Sequence, residues 1–167
     1  MAAKKRPQLI QTLPDRRRSM GLMDSLKFKF WDGLGTVTDL IQSWQPEGCK
    51  SEKDFEKSLF SHLQKELSDI RITKQYARGR IKADIVIAEE LIIELKTNLK
   101  TTGQLQRLMG QLLIYKTAWP GKTIVILTGQ TDADLRKELD RNIKAHFEDF
   151  NPFDPWRLDS SILIVQK

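Results

Sequence analysis

Two carboxylates and an amine lie close together in the middle of the chain: Asp84, then Glu94 and Lys96. They sit in two runs rich in β-branched residues, Lys82-Ala83-Asp84-Ile85-Val86-Ile87 and Leu91-Ile92-Ile93-Glu94-Leu95-Lys96. Ala88-Glu89-Glu90 between them has the length and polarity of a hairpin loop. If Ile87 pairs with Leu91, Val86 faces Ile92 and Asp84 faces Glu94. Alternation with period two then puts Asp84, Val86, Ile92, Glu94 and Lys96 on one face. Ile81, Ala83, Ile85, Ile87, Leu91, Ile93 and Leu95 fall on the other. Opposed carboxylates repel, and burying them costs several kcal/mol unless a charge neutralises them. A divalent cation does this, and Mg²⁺ is commonly held by one or two carboxylates together with substrate phosphates. The chemistry expected is therefore attack on a phosphodiester, with Lys96 touching the attacking water or the phosphate charge. The plain alternative is a solvated hairpin in which Glu94 and Lys96 merely pair. Apolar residues on both faces argue instead for an interior hairpin covered on each side.

The elements around this hairpin must supply that cover. Ser51 and Asp54 can cap a helix with the apolar stripe Phe55, Leu59, Leu63 and Leu67, and Glu56 borders the stripe. A strand is expected near Ile70 to Ala77, then a tight Arg78-Gly79-Arg80 turn into the hairpin. A helix follows from about Thr102 to Ala118, ended by Pro120 and Gly121. Thr123 to Thr128 reads as a buried strand, joined to the hairpin by a helical crossover that suits parallel pairing. Asp132 to Phe150 is amphipathic through Leu135, Leu139, Ile143 and Phe147; Asn151 to Ser160 is a loop, and Ser161 to Val165 a closing strand. Upstream, a short irregular segment around Lys27 to Trp31 precedes a helix from about Thr36 to Trp44, with a turn at Pro46 to Gly48. Lys27 and Lys29 interleaved with Phe28, Phe30 and Trp31 would also suit a membrane surface or base stacking. The order predicts an α/β fold, a central mixed β-sheet flanked by helices. Residues 1–50 read as a basic, partly flexible extension with a short apolar helix, and 51–167 as the main domain.

The chain has 167 residues, 40% of them hydrophobic, enough for one domain with a real core. No run approaches the roughly 18 apolar residues that span a membrane. A single cysteine, Cys49, and the lack of an apolar leader point to an intracellular compartment: cytoplasm or nucleoid, or nucleus in a eukaryote. The net charge is +6, but +5 of it falls in the first 18 residues, so those could form an arm on phosphates, a solvated tail or a localisation signal. His62, His146 and Cys49 lack partners that would make them ligands or nucleophiles, and no glycine-rich phosphate loop is present.

Glu56, Asp84, Glu94-Leu95-Lys96 and a downstream Gln111-Leu112-Leu113-Ile114-Tyr115, in this order of elements, resemble the PD-(D/E)xK nuclease superfamily of restriction-endonuclease-like fold. The resemblance covers about Ser51 to Thr128. It implies a nuclease using Mg²⁺ or Mn²⁺, with Asp84 and Glu94 as metal ligands, Lys96 orienting or activating water, and Glu56 holding a metal or its water. Gln111 and Tyr115 are similar to the Q-x-x-x-Y element of RecB-like exonucleases. Residues four apart share a helix face, which makes Gln104, Leu108, Gln111 and Tyr115 one stripe. Ala83 stands where the superfamily often has proline.

The expected activity is that of a metal-dependent deoxyribonuclease, either an exonuclease or a structure-specific endonuclease. Glu56, Asp84, Glu94, Lys96, Gln111 and Tyr115 are its catalytic candidates. Arg78, Arg80, Lys82, Lys100 and Gln104 are candidates for contacting DNA. A Holliday-junction resolvase or restriction-type enzyme would need a homodimer, whereas a RecB-like exonuclease works as a monomer, ring or module of a larger nucleic-acid-processing complex. The rival class is a catalytically inactive nucleic-acid-binding or scaffold subunit with a nuclease-like fold.

Overall fold

The computed structural model describes residues 33–147 and 162–167. Helix α1 (Gly33–Ser43) and helix α2 (Glu52–Glu66) precede three strands, β1 (Ile72–Arg78), β2 (Ile81–Ile87) and β3 (Leu91–Thr97). Helix α3 (Thr102–Ala118), β4 (Lys122–Thr128), α4 (Ala133–Phe147) and β5 (Ile162–Gln166) complete the described order. The expected succession of elements holds. The irregular segment at Lys27 to Trp31, the loop Asn151 to Ser160 and the end of the Asp132 to Phe150 helix lie outside the described residues. Helix α1 starts earlier than its sequence suggests, taking in Gly33 and Gly35.

The five strands form one sheet in the order β1-β2-β3-β4-β5, antiparallel as far as β3 and parallel from β3 to β5. Helices cover both faces, as the α/β reading required. On one face, Val37, Ile41 and Trp44 of the N-terminal region join Phe55, Leu59 and Leu63 of α2 over Ile85, Ile87, Ile93, Leu95, Ile124 and Ile126. On the other, Leu105, Leu108, Leu112 and Tyr115 of α3 and Leu139, Ile143 and Phe147 of α4 pack over Val86, Ile92, Val125 and Leu127. Each fully buried aliphatic side chain contributes about 1.5–3 kcal/mol. Helix α1 is therefore built into the core of the sheet domain.

Local chemistry explains the helix starts. Ser51 accepts from the Asp54 N–H while the Asp54 carboxylate accepts from the Ser51 N–H, a reciprocal capping box. Thr101 and Gln104 repeat the device at α3, and the Asp132 carboxylate accepts from the Asp134 and Leu135 N–H groups ahead of α4. Ala88 and Glu89 both take positive φ in the β2–β3 loop, 53° and 57°, as the right-handed twist of a tight hairpin demands. That loop is held by the α3–β4 turn, where the Glu90 carbonyl accepts from Lys122 N–H (3.1 Å) and Trp119 Nε1–H (3.3 Å). A Cβ on Gly121 would stand 1.8 Å from the same oxygen, so only glycine fits there.

The strict alternation expected of β2 fails at Asp84. Ile85 and Ile87 face the α1/α2 layer, yet Ile81 and Ala83, of the same parity, lie in the α3/α4 layer. Strand β1 changes faces with it: Ile72 packs on the first layer, Tyr76 on the second. The β1–β2 register pairs Lys74 with Ile85 and Tyr76 with Ala83, skipping Gln75 and Asp84, and Gln75 has φ +52°. The register is the same on both sides of the gap, so no residue is inserted and this is not a bulge. A left-handed residue resets the alternation at a cost of about 1–3 kcal/mol for a non-glycine side chain.

Candidate functional site

Past the switch, the hairpin opens. The β2–β3 ladder pairs Ile87 with Leu91, Val86 with Ile92 and Ile85 with Ile93, as expected, and stops there. Instead of continuing the ladder to Glu94, Asp84 accepts the Leu95 N–H on Oδ2 at 2.8 Å. Strand β3 runs on beside β4 as far as Thr97 opposite Thr128. The charged residues thus collect at the carboxyl ends of β3 and β4, the usual place for a ligand on parallel strands.

Glu94 is 1% exposed, and both its oxygens have partners. Lys96 Nζ lies 3.1 Å from Oε1, and the Tyr115 hydroxyl donates to Oε2 at 2.8 Å. Tyr115 comes from α3, where its ring is core and its hydroxyl also meets the Lys82 carbonyl. Lys96 also pairs with Glu52 of α2 at 3.5 Å, and Glu52 accepts the Thr97 N–H at 3.1 Å. Glu52, Lys96, Glu94 and Tyr115 therefore form one connected group, and Asp84, bonded to the Leu95 N–H, feels its charges without touching it.

Glu52 is the residue that sequence reasoning passed over. It precedes Glu56 by four, one turn along the same helix face, and that spacing was the available signal. Glu56 is buried, and its carboxylate accepts from Gln75 Nε2 at 2.6 Å. It braces the left-handed residue of β1 and does not join Asp84 and Glu94. Among the described residues no three His, Cys, Asp or Glu side chains gather as metal ligands.

Burial and then the Glu94 charge push the Asp84 carboxyl up to about 7, against the pull of the Leu95 N–H and Lys96. Burial likewise raises Glu94, although Lys96 and Tyr115 work to lower it. For Lys96, burial disfavours the ammonium, but Glu94 and Glu52 outweigh it and raise the pKa above the ordinary lysine value. Burial and the Glu94 charge raise the Tyr115 phenol as well, so it remains a donor. The group is short of positive charge: the buried Glu94 and the half-buried Asp84 are both harder to ionise than usual while their lysine stays charged.

A concavity of about 450 Å³ opens beside Lys96, lined by Glu52, Lys96, Thr97, Leu99, Gln104, Arg107 and Gln111. The expected stripe on α3 divides in two: Leu108 and Tyr115 point into the core, whereas Gln104 and Gln111 line this concavity with Arg107. Gln104 Oε1 serves the capping box by accepting the Lys100 and Thr101 N–H groups. Lys100 is exposed, with Nζ 2.8 Å from Gln130 Oε1. Arg78, Arg80 and Lys82 are exposed at the tip of the β1–β2 hairpin and form a basic edge there.

No family model matches the sequence, and no curated protein matches it. Among solved structures the chain is similar to Pyrococcus furiosus SfsA in complex with Ca²⁺, at 17% identity over 68% of this chain and with a TM-score of 0.37. The likeness takes in 54% of that chain, so this protein spans about half its length.

Proposed function

We propose that this chain is a metal-dependent deoxyribonuclease of the PD-(D/E)xK kind, with Asp84 and Glu94 as the ligands of a Mg²⁺ or Mn²⁺ ion. The observation that carries this reading is two carboxylates of raised pKa, the buried Glu94 and the half-buried Asp84, set near a single lysine that itself lines a concavity. Such a donor set fits a hard divalent cation that completes its shell with water and phosphate oxygens. The ion would supply Lewis acidity at the phosphate and favour ionisation of an attacking water.

The chain's own residues do the positioning. Asp84 is fixed through Oδ2 by the Leu95 N–H, leaving Oδ1 for an ion. Glu94 is oriented by the Tyr115 hydroxyl and by Lys96. The raised pKa of Lys96 keeps it an ammonium at neutral pH, so it orients water and stabilises phosphate charge by donating rather than by taking a proton. Gln111, on the concavity wall, faces the strand beside the cleaved bond. Arg78, Arg80 and Lys82 attract the DNA backbone. Glu56 acts at one remove, through Gln75.

The test is a cleavage panel with Mg²⁺, Mn²⁺ or EDTA on circular single strands, linear duplex and four-way junctions. Cleavage that needs the metal and disappears in Asp84→Asn and Lys96→Ala supports the reading. Calorimetry that finds no Mn²⁺ binding, together with nucleic-acid affinity but no turnover, would replace it with a non-catalytic nucleic-acid-binding subunit.

A further inference from the structure

The concavity beside Lys96 carries a charge pattern of its own. Its two cations are Lys96 and Arg107 and its one acid is Glu52. Lys96 is engaged by Glu52 and Glu94, and Glu52 is committed to Lys96 and to the Thr97 N–H. Arg107 is exposed and pairs with no carboxylate among the described residues. An unpaired guanidinium presents a planar fork of donors suited to phosphate.

The neutral part of the lining is equally specific. Gln104, Arg107 and Gln111 recur at helical spacing on α3, immediately beside the buried stripe Leu105, Leu108 and Leu112. Gln104 is held by its cap, with Leu99 in the core behind it, so an amide is fixed in place beside the guanidinium. A volume of about 450 Å³ admits one nucleotide. A base within a duplex, stacked and paired, cannot enter such a concavity unless it leaves the stack.

We propose that this concavity holds one unstacked nucleotide next to the cleaved phosphodiester, with its phosphate on Arg107 and its base between the Gln104 and Gln111 amides. The substrate is then a DNA strand that is unpaired at this position. The nucleotide's place beside the cleaved bond rests on the nuclease reading; its capture by Arg107 does not.

The experiment measures equilibrium binding in EDTA, by fluorescence anisotropy, of a short oligothymidylate and of a blunt duplex to the full chain and to Arg107→Ala and Arg107→Lys. Cleavage of the same single strand with Mg²⁺ is followed in parallel. Arg107→Ala should weaken single-strand binding about tenfold, with partial recovery in Arg107→Lys and no change for the duplex. It should raise KM by a similar factor while kcat stays within about twofold, the signature of lost uniform binding. Unchanged single-strand affinity in Arg107→Ala, or an equal loss for the duplex, overturns the proposal. Arg107-dependent binding without cleavage would sink the nuclease reading and leave the nucleotide site standing; cleavage with Arg107-independent binding would do the reverse.

Discussion

The two ends of the β2–β3 hairpin are made from similar residues and behave differently. At the loop end, Ile85, Ile87, Leu91 and Ile93 obey period two, fill one layer and carry no charge. At the open end, β2 leaves the ladder, Asp84 turns to a backbone N–H, and a buried carboxylate, Glu94, pairs with one lysine. Regular pairing stabilises the first region; the second gives up pairing to hold charge where water is scarce. Regular pairing and the charged group thus occupy different stretches of the same two strands, and each can be altered separately.

The largest separation is expected between Asp84→Asn and Ile92→Ala. Asp84→Asn should lower kcat roughly a thousandfold with the fold intact by circular dichroism. Ile92 is fully buried, and its truncation should cost about 2–5 kcal/mol in urea unfolding. Below its lowered Tm, Ile92→Ala should cleave at close to the wild-type rate. If Ile92→Ala lost activity as completely as Asp84→Asn, the two ends would not be separable.

Next in size is the response to pH without metal. The folded pKa of Asp84 is raised from 3.8 to about 7, so the folded chain binds more protons than the unfolded chain between those values. Stability from this group is present at low pH and declines as pH rises from about 4 through 7, by about 1–4 kcal/mol. Glu94 is shifted in the same direction. Denaturation of Asp84→Asn in EDTA should show a flatter profile and a higher midpoint at pH 8 than the parent. A parent whose stability climbs across that window would contradict the charge shortage inferred for the site.

Tyr115→Phe keeps the ring in the core and removes the donor from Glu94, which should cost about 1–2 kcal/mol. The Glu94 pKa should rise further and Mn²⁺ should bind more weakly, read by titration and calorimetry. The smallest effect belongs to the loop end: Glu89→Gly relieves a positive φ and should stabilise by about 0.5–1 kcal/mol without touching cleavage. The exposed Arg71–Glu89 pair that it removes offsets little of this.

Element order, the Ser51–Asp54 cap and the register at the loop end of the hairpin were legible in the sequence because they follow from local residue chemistry, whereas the expected pairing of Asp84 with Glu94 gives way to the Asp84–Leu95 hydrogen bond. Helical spacing set Tyr115 on the face of Gln111, and only the resemblance put it beside the hairpin; its hydroxyl bond to Glu94 required that the helix cross the sheet there. The switch of faces was not legible. Gln75 has no residue type that announces a positive φ, and period two gives no warning of its own interruption. Glu52 was hidden for another reason: an acid in a first helical turn already has an explanation in the helix dipole. Arg107 reads as an ordinary exposed cation until the neighbouring strand end turns its helix face into a wall.

The clamp on Glu90 bears on how the site moves. With its carbonyl held by Lys122 and Trp119 and no room for a side chain at Gly121, the loop end of the hairpin is pinned to the α3–β4 turn. Breathing of the two strands must then begin at the other end, where Asp84 and Leu95 share a single hydrogen bond. The hairpin is then a hinge with one fixed leaf: under the proposed function a metal ion or a phosphate would be admitted at the carboxylates, and the core behind them need not open.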